Sequence, residues 1–299
     1  MEHLKNCNIC PHKCGTNRLE GKVGRCKATD KVKIALVSLH NFEEPCISGE
    51  NGSGTVFFSN CNLNCVFCQN YEISHEGNGK EVTIDELANI FMEQQKNNAG
   101  NINLVTPTMY IYQIKEAIKT AKEKGLKIPI VYNSNGYENV EAIRTLDGYI
   151  DIYLPDLKYS DNEVAYKYSN IKNYFENAMQ AIKEMYRQVG VPVLDNNGMM
   201  KKGLMIRHLV LPNNLENSKG VLSWINNNID KNVFVSVMAQ YFPTHKAKEF
   251  PEINRKLTHE EYDEIENYLY SLNLENGYIQ ELGTHEEEYV PDFKSWYKK

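Results

Sequence analysis

Short apolar segments rich in strand-forming residues alternate with amphipathic segments along most of this chain. Such an alternation is typical of parallel strands joined by right-handed helical crossovers. Six such strands are too few to close a barrel of eight, so the sequence predicts an α/β fold, a partial (β/α)6 barrel of TIM type, open on one side. The predicted strands cover 55–59, 102–105, 128–132, 150–154, 205–210 and 233–238, and an earlier strand covers 32–39.

Two of the predicted helices begin at capping boxes, Thr83 with Glu86 and Thr258 with Glu261, in which a Thr and a Glu bond each other's backbone N–H groups. The helices are predicted over 84–97, 110–124, 139–146, 174–189, 222–228 and 260–272. The polar segment 192–202 carries an Asn-Gly turn signal and is predicted to be a loop.

Composition divides the chain into three parts: a Cys-rich extension over 1–50, the barrel over 51–283, and a tail over 284–299 that is acidic and then aromatic. A segment as short as the extension cannot bury enough apolar surface to fold alone, which favours a bound metal as its support. The tail is expected to pack over the barrel mouth.

All eight cysteines lie between Cys7 and Cys68. The chain shows no secretory h-region and no apolar run long enough for a membrane span, so we expect a cytoplasmic protein without a membrane partner. Since the cytosol keeps thiols reduced, this clustering indicates metal ligation rather than disulfides. With a formal net charge of −6 and no basic stripe, nucleic-acid binding is not expected.

Cys61, Cys65 and Cys68 directly follow the first predicted barrel strand, where chemistry in βα barrels is concentrated. Three thiolates can hold three irons of a [4Fe-4S] cluster and leave the fourth iron open, whereas ferredoxin clusters use four cysteines. The alternative is a zinc site with a fourth ligand such as Cys46, although zinc sites favour C-x2-C pairs joined by longer spacers.

The C-x3-C-x2-C spacing, with an aromatic residue before the last cysteine, resembles the signature of the radical S-adenosylmethionine (SAM) superfamily. From Cys7 to about Gln280 the chain is similar to the pyruvate formate-lyase activating enzyme-like group, with marker stretches at 10–14, 44–49, 68–71, 151–159 and 207–212. The resemblance implies an oxidoreductase that reductively cleaves SAM at the cluster, giving a 5′-deoxyadenosyl radical for hydrogen abstraction. It further implies a low-potential electron donor, flavodoxin or ferredoxin, and a glycyl-radical enzyme as the substrate.

Polar residues at the ends of the later strands are predicted to bind SAM, because its carboxylate suits Arg or Lys and its ribose hydroxyls suit Asp, Asn or Ser. The resemblance assigns Asp156 and Lys158 to an Asp-x-Lys pair and Arg207 to a fifth-strand arginine. The Gly-Gly-Glu segment of activating enzymes is replaced here by 106–108, and their Asp-Thr-Asn-Gly by 133–136. The full predicted set is Thr106, Thr108, Asn133, Ser134, Asp156, Lys158, Arg207, His208, Gln240 and Tyr241, of which the last two and His208 are equally compatible with core packing.

Cys7, Cys10, Cys14 and Cys26, here called the N-terminal cysteine set, are predicted to form a second metal site that holds zinc or an auxiliary iron–sulfur cluster. The alternative is a set of thiols without metal. Two other functions stay open: radical SAM modification of a small molecule or peptide, and a non-catalytic iron–sulfur or zinc protein. The second of these would have no use for polar residues at five further strand ends and would not bind SAM.

Overall fold

The computed structural model describes residues 2–274, 276–283 and 291–293. In this part of the chain the strands are β1 Val32–His40, β2 Ser53–Phe58, β3 Lys80–Val82, β4 Ile102–Val105, β5 Ile130–Ser134, β6 Ile152–Pro155, β7 Val193–Leu194, β8 Met200–Leu209, β9 Phe234–Met238 and β10 Gly277–Ile279. The α-helices are α1 Pro45–Ser48, α2 Tyr71–Ser74, α3 Ile84–Lys96, α4 Ile111–Glu123, α5 Val140–Arg144, α6 Asn162–Ser169, α7 Tyr174–Val189, α8 Leu215–Asn228 and α9 His259–Ser271. Short 3-10 helices cover Glu2–Leu4, Arg18–Glu20, Thr108–Tyr110 and Ala247–Glu249.

The strands form one sheet in the order β10-β9-β8-β6-β5-β4-β2-β1-β3, and β7 pairs with β8 beside it. From β2 to β10 the neighbours in this order are parallel, while β1 is antiparallel to both β2 and β3. The order does not return on itself within the described residues, which confirms the predicted partial barrel. The sequence missed the seventh parallel strand, β10, because three residues give no periodic signal.

Two other differences from the sequence prediction have physical causes. The polar segment 192–202 is a β-hairpin rather than a loop, and its turn is held by the Asp195 carboxylate, which accepts the N–H groups of Asn197 and Met199 at 2.9 and 3.0 Å. Helix α8 begins seven residues earlier than predicted (215 against 222), because its first turns bury polar Asn217 and Ser218. Buried polar residues carry no apolar periodicity.

The inner face of the barrel is apolar in the half that lies away from the carboxyl ends of the strands. The short helix α1 enters the barrel and packs Cys46 and Ile47 against inward-facing side chains of β5, β6 and β8. The Ile47 carbonyl accepts a hydrogen bond from Asn101 at 2.7 Å, which fixes this inserted turn to the start of β4. The strand residues in this interior cluster are Val131, Ile152, Leu154, Met200 and Met205. Cys46 therefore packs as a small buried side chain.

The N-terminal extension lies directly on the barrel. Arg18 is only 1% exposed, and its guanidinium donates to the carbonyls of Thr29 and Met109, the latter at 2.8 Å. Asn139 donates to the Asn8 carbonyl at 2.7 Å. These contacts bury polar groups with satisfied hydrogen bonds, as a packed interface requires. The division of the chain into three parts stays a prediction.

Of the predicted tail, only residues 291–293 lie within the described part of the chain. Phe293 is 3% exposed and packs edge-on against Phe57 of β2, with ring centroids 5.4 Å apart. These three residues therefore lie at the upper end of the barrel, where the parallel strands end.

Candidate active site

The cysteine loop, residues 61–68, begins immediately after β2. The chain leaves the strand through Asn60, whose φ of +73° is left-handed, a conformation that Asn adopts more readily than most residues. The Asn60 side chain donates to the Tyr110 hydroxyl at 2.8 Å, and its backbone N–H donates to the Ile73 carbonyl at 2.8 Å. This anchored turn positions the loop at the carboxyl end of the sheet.

Hydrogen-bond donors surround the sulfur atoms of the loop. Cys61 Sγ accepts from the Leu63 N–H and from Asn135 Nδ2, each at 3.4 Å, and Cys65 Sγ lies 2.9 Å from the Ser169 hydroxyl. Burial raises the pKa of all three cysteine thiols, and the neighbouring thiols raise it further at Cys61 and Cys68. Thiols in such surroundings ionise only when a cation compensates the charge, and N–H and O–H donors stabilise thiolates as ligands.

A cavity of about 410 Å³ opens beside the cysteine loop, at the carboxyl ends of the strands. Gln69 and Asn70, which directly follow Cys68, form part of its wall. The remaining wall consists of two sets of residues. The strands contribute His40, Phe57, Val105, Asn133, Arg207, Ser236, Met238, Tyr278 and Ile279, and the segments outside them contribute Asn41, Phe42, Glu43, Glu44, Pro45, Gln240, Gln280 and Pro291. Residues 40–45 therefore meet residues 278–280 and Pro291 at one cavity.

Arg207 is the centre of a buried charge network at this cavity. Its guanidinium donates to Glu43 at 2.9 Å, to Asp156 at 3.0 Å and to Asn133 Oδ1 at 2.6 Å. Glu43 also accepts from Asn103 of β4 at 2.8 Å. The network thus connects β4, β5, β6 and β8 through the chain segment that precedes α1.

Asp156 joins this network to Lys158, whose ammonium group lies 2.6 Å from the Asp156 carboxylate. Burial opposes ionisation of Asp156, but Lys158 and Arg207 outweigh it and lower the carboxyl pKa below its usual range. Lys158 also lies close enough to Cys65 for each to influence the charge of the other. A cation therefore lies between the cysteine loop and the cavity network.

The Tyr174 hydroxyl, at the start of α7, fixes the backbone of this site. It donates toward the carbonyls of Asn135 and Asp156 at 2.8 and 2.9 Å and accepts the Lys158 N–H at 3.0 Å. A Cβ on Gly136, which has a φ of +75°, would lie 2.3 Å from the Asp156 carbonyl. The ends of β5 and β6 are thus held together too closely for any side chain at position 136.

Two of the predicted SAM contacts belong to a second buried cluster, around Glu138. The Thr108 hydroxyl donates to Glu138 at 2.6 Å, and Ser134 also hydrogen-bonds to this carboxyl, which Tyr132 approaches at 3.3 Å. Burial raises the pKa of Glu138 to about 7, even though these hydrogen bonds oppose the increase. Thr106, with a left-handed φ of +59°, leads into this cluster and donates its N–H to the Asn133 carbonyl at 2.9 Å.

His208 and Tyr241 lie in the core rather than on the cavity wall. The His208 ring nitrogens each have a partner at 2.8 Å, the Leu157 carbonyl and the Ser218 hydroxyl, and burial lowers its pKa to about 4. Tyr241 donates to the Ile253 carbonyl at 2.7 Å. Both polar groups are fully used within the protein, so neither side chain faces a ligand here. Gln240, Asn133 and Arg207, by contrast, line the cavity.

The N-terminal cysteine set is assembled close to the cysteine loop. The Cys7 N–H donates to the Thr16 carbonyl, and His12 Nε2 lies 2.8 Å from the Asn62 carbonyl inside the loop. Burial raises the pKa of Cys10 to about 12 and also raises that of Cys26, and other thiols of the set add to both increases. Within the ranges described, no three His, Cys, Asp or Glu side chains converge tightly enough to hold one metal ion. The second metal site stays a prediction.

Residues 55–205 match the sequence profile of the radical SAM superfamily. That match covers the cysteine loop, the Asp156–Lys158 pair and the strands that carry them. The chain belongs to the radical SAM superfamily. It is also 35% identical to the uncharacterized protein MJ0674 of Methanocaldococcus jannaschii, over 91% of this chain and 76% of that protein. The pyruvate formate-lyase-activating enzyme of Clostridium pasteurianum is 24% identical, over 71% of this chain and 84% of the enzyme.

Solved structures share the fold of this radical SAM enzyme. Streptococcus suis SuiB bound to its precursor peptide SuiA superposes with a TM-score of 0.52 and 16% identity, covering 76% of this chain and 47% of that one. HydG, a maturase of the [FeFe]-hydrogenase, gives 0.51 and 14%, covering 77% and 52%. This chain spans about half the length of these two structures. No described helix combines the length and apolar character needed to cross a bilayer.

The residues present fit the cofactors that radical SAM enzymes use, a [4Fe-4S] cluster and SAM. The thiols of Cys61, Cys65 and Cys68 are buried or half-buried, have hydrogen-bonding groups at their sulfurs and form a suitable donor set. Ligands that bind separate irons need not converge on one point. The neighbouring cavity offers the Arg207 guanidinium and several amides, at a volume within the range of about 300–1,000 Å³ that is common for small-molecule sites.

Several residues of the site were missed in the sequence. Glu43 and Glu44 reach the cavity from the segment before α1, and the marker stretch at 44–49 was the signal that pointed there. Glu138 and Tyr174 gave no such signal, since a single carboxyl or phenol within or beside a helix is usually solvated or packed. Their roles depend on contacts between distant segments, which a single sequence does not reveal.

Proposed function

We propose that this radical SAM enzyme abstracts a hydrogen atom from a polypeptide segment that enters the cavity beside the cysteine loop. The observation that carries the proposal is the cavity wall, which contains four amide side chains beyond those proposed below to contact SAM: Asn41, Gln69, Asn70 and Gln280. Amide side chains both donate and accept hydrogen bonds, as peptide groups do, so they match an extended backbone.

In this proposal Cys61, Cys65 and Cys68 would hold the cluster, which together with SAM would supply a 5′-deoxyadenosyl radical. Lys158 and Arg207 provide positive charge for the SAM carboxylate, and Asp156 and Asn133 provide acceptors and donors for its hydroxyl and amino groups. The buried network keeps these side chains oriented and excludes water, which is the protein's share in cofactor chemistry. Thr106 and Gln240 complete the proposed contacts.

Activation of a glycyl-radical enzyme is the more specific form of the proposal, and the relative from Clostridium pasteurianum supports it. The reductant would be a flavodoxin or ferredoxin, and the setting would be the cytoplasm. The replaced Gly-Gly-Glu segment and the N-terminal cysteine set distinguish this chain from activating enzymes. A small-molecule substrate is the alternative that the experiments below separate.

The first experiment is anaerobic reconstitution with iron, followed by dithionite and SAM, with 5′-deoxyadenosine measured by chromatography. We expect product from the wild type and none from Cys65→Ala. Cys46→Ala is the matched control, since it removes another buried thiol that lies outside the loop and should retain iron and activity. A wild type that binds no SAM would contradict the proposal and favour a non-catalytic metal protein.

The substrate class is tested by isotope transfer. Host cells are grown on Cα-deuterated glycine, and the protein fraction and the small-molecule filtrate of their extract are offered separately to the enzyme. Deuterium in 5′-deoxyadenosine from the protein fraction alone supports a polypeptide substrate with an activated glycine. Transfer from the filtrate alone would instead establish a small-molecule substrate.

We also propose that the N-terminal cysteine set binds zinc or an auxiliary iron–sulfur cluster. Its position beside the cysteine loop supports this, as does its location in a segment with little apolar core of its own. The test counts iron and zinc in the wild type and in Cys10→Ala. An unchanged metal content in the variant would contradict a second site.

A further inference from the structure

We propose that the basic surface around Asn64 is the docking site for an acidic one-electron carrier protein of the flavodoxin or ferredoxin type. This surface, here called the basic rim, consists of Arg25, Lys27, Lys172 and Lys246. The proposal rests on the proposed function, because it assumes that the cysteine loop holds the cluster that must be reduced. The carrier gives up one electron and is itself oxidised by one, so the exchange needs no further reactant.

Asn64 marks the place where the cysteine loop reaches the protein surface. It is exposed, whereas the adjoining Cys65 is only 8% exposed. The cavity lies beyond the other end of the loop, where Gln69 and Asn70 line it. A carrier at Asn64 would therefore come within one residue of a cluster ligand and leave the cavity free for SAM and substrate.

The rim residues are tied to this part of the loop by short contacts. The Lys246 N–H donates to the Val66 carbonyl at 2.8 Å, and the Asn64 N–H donates to the Ser169 carbonyl at 3.3 Å. Arg25 donates to the Asn170 carbonyl at 2.7 Å, one residue beyond Ser169. These contacts place Arg25 and Lys246 on two sides of the exposed loop.

Lys27 and Lys172 extend the rim around the same surface. Lys27 donates to the His75 carbonyl at 3.1 Å, in the turn that follows the cysteine loop, and Lys172 lies 5.9 Å from the Tyr166 ring centroid near the end of α6. All four rim residues are exposed, and within the described ranges none forms an ion pair with a carboxylate.

Acidic residues near the rim are fewer than basic ones. Glu252 is already paired with Lys167 at 2.6 Å, Glu249 lies near His245, and Glu76 lies near both His245 and Lys27. A local excess of positive charge is notable in a chain whose formal net charge is −6. Such a patch attracts an acidic protein and raises its association rate at low ionic strength, whereas the rest of the surface repels it.

The test measures binding and does not depend on catalysis. Oxidised flavodoxin is titrated by calorimetry into the reconstituted wild type and into the variant Arg25→Glu, Lys172→Glu, Lys246→Glu at about 20 mM and at about 200 mM salt. We expect this charge reversal to raise the Kd for flavodoxin about 10-fold or more at low salt. The difference in Kd between the variant and the wild type should shrink at high salt. The matched control reverses the charge of three exposed lysines on other elements, Lys96, Lys119 and Lys202, by replacing each with Glu. It should change Kd less than about 2-fold.

A second variant, Lys172→Gln with Lys246→Gln, alters side chains that donate no hydrogen bond to the loop, and we expect a smaller increase of Kd in the same direction. Dithionite-driven formation of 5′-deoxyadenosine should be equal in all variants, because a small reductant needs no docking site. A rim variant that binds flavodoxin as tightly as the wild type would overturn the docking site. Absence of 5′-deoxyadenosine from the wild type with dithionite would instead count against the proposed function.

Discussion

Replacing Asp156 with Asn should destabilise the protein strongly, because it removes the carboxylate that forms an ion pair with Lys158. Asp156 and Lys158 are 14% and 16% exposed, and their charged groups lie 2.6 Å apart. Removing one partner of a buried ion pair costs about 3–5 kcal/mol. Arg207 retains Glu43 at 2.9 Å after the change, so we expect the lower end, a loss of about 3 kcal/mol.

The assay is anaerobic urea unfolding at pH 7 followed by circular dichroism, in a cycle with Lys158→Met. Lys158→Met leaves Asp156 paired with Arg207 and should cost only about 1 kcal/mol. The double variant lacks the uncompensated ammonium group, so its loss should be smaller than the sum by about 1–2 kcal/mol. A loss under 1 kcal/mol for Asp156→Asn, with additive effects in the double variant, would refute the reasoning.

The direction of the pH effect follows from the lowered pKa of Asp156. The folded protein holds this carboxylate more strongly in its charged form than the unfolded chain does. The stabilisation is therefore present above the ordinary Asp pKa of about 4 and is lost as the pH falls through the folded value. The difference between the wild type and Asp156→Asn should accordingly shrink below about pH 4.

Three further predictions concern buried polar groups near the site. His208 has a pKa of about 4 in the folded protein against about 6.5 in the unfolded chain, so the protein loses stability as the pH falls below 6.5. Between pH 7 and pH 5 the free energy of unfolding of His208→Gln should decrease by about 2 kcal/mol less than that of the wild type. Burial raises the pKa of Glu138 to about 7, so the wild type loses stability as the pH rises from about 4.5 through 7. The free energy of unfolding of Glu138→Gln, measured relative to that of the wild type, should therefore increase by about 2 kcal/mol between pH 5 and pH 8.5. Wild type and variant that depend on pH in the same way would contradict this. Tyr174→Phe leaves two carbonyls and one N–H without their partner and should cost about 1–3 kcal/mol in urea unfolding, whereas the exposed control Tyr166→Phe should cost almost nothing.

Regular periodicity made most of the fold predictable from sequence. Helix α7 has the predicted bounds, Tyr174–Val189, because its apolar stripe is strong, and both capping boxes form as expected. The eight-residue helix α6 was missed. Most of the other missed elements are short, such as α1 and β10. Their positions follow from the barrel interior that they fill or extend, and such contacts between distant segments leave no local pattern.

Site residues that belong to a sequence motif could be predicted. Those whose role depends on hydrogen bonds to distant residues could not. The spacing of the three cysteines identifies the loop, and the Asp-x-Lys pair identifies Asp156 and Lys158. A histidine beside a strand end gives no sign of whether its ring faces a ligand, and in His208 both nitrogens are used by the core. Glu43 depends on Asn103 and Arg207, residues 60 and 164 positions away in the chain.

The cavity wall joins residues that are synthesised at very different times. Pro45 and the residues just before it are made long before Tyr278, Gln280 and Pro291. A chain still being translated thus has its three loop cysteines long before the wall beside them is complete. We expect the loop cysteines to be accessible to iron in this open intermediate, and Tyr278 and Gln280 to complete the cavity wall afterwards. Chains truncated before β10 should therefore still take up iron but lose tight SAM binding.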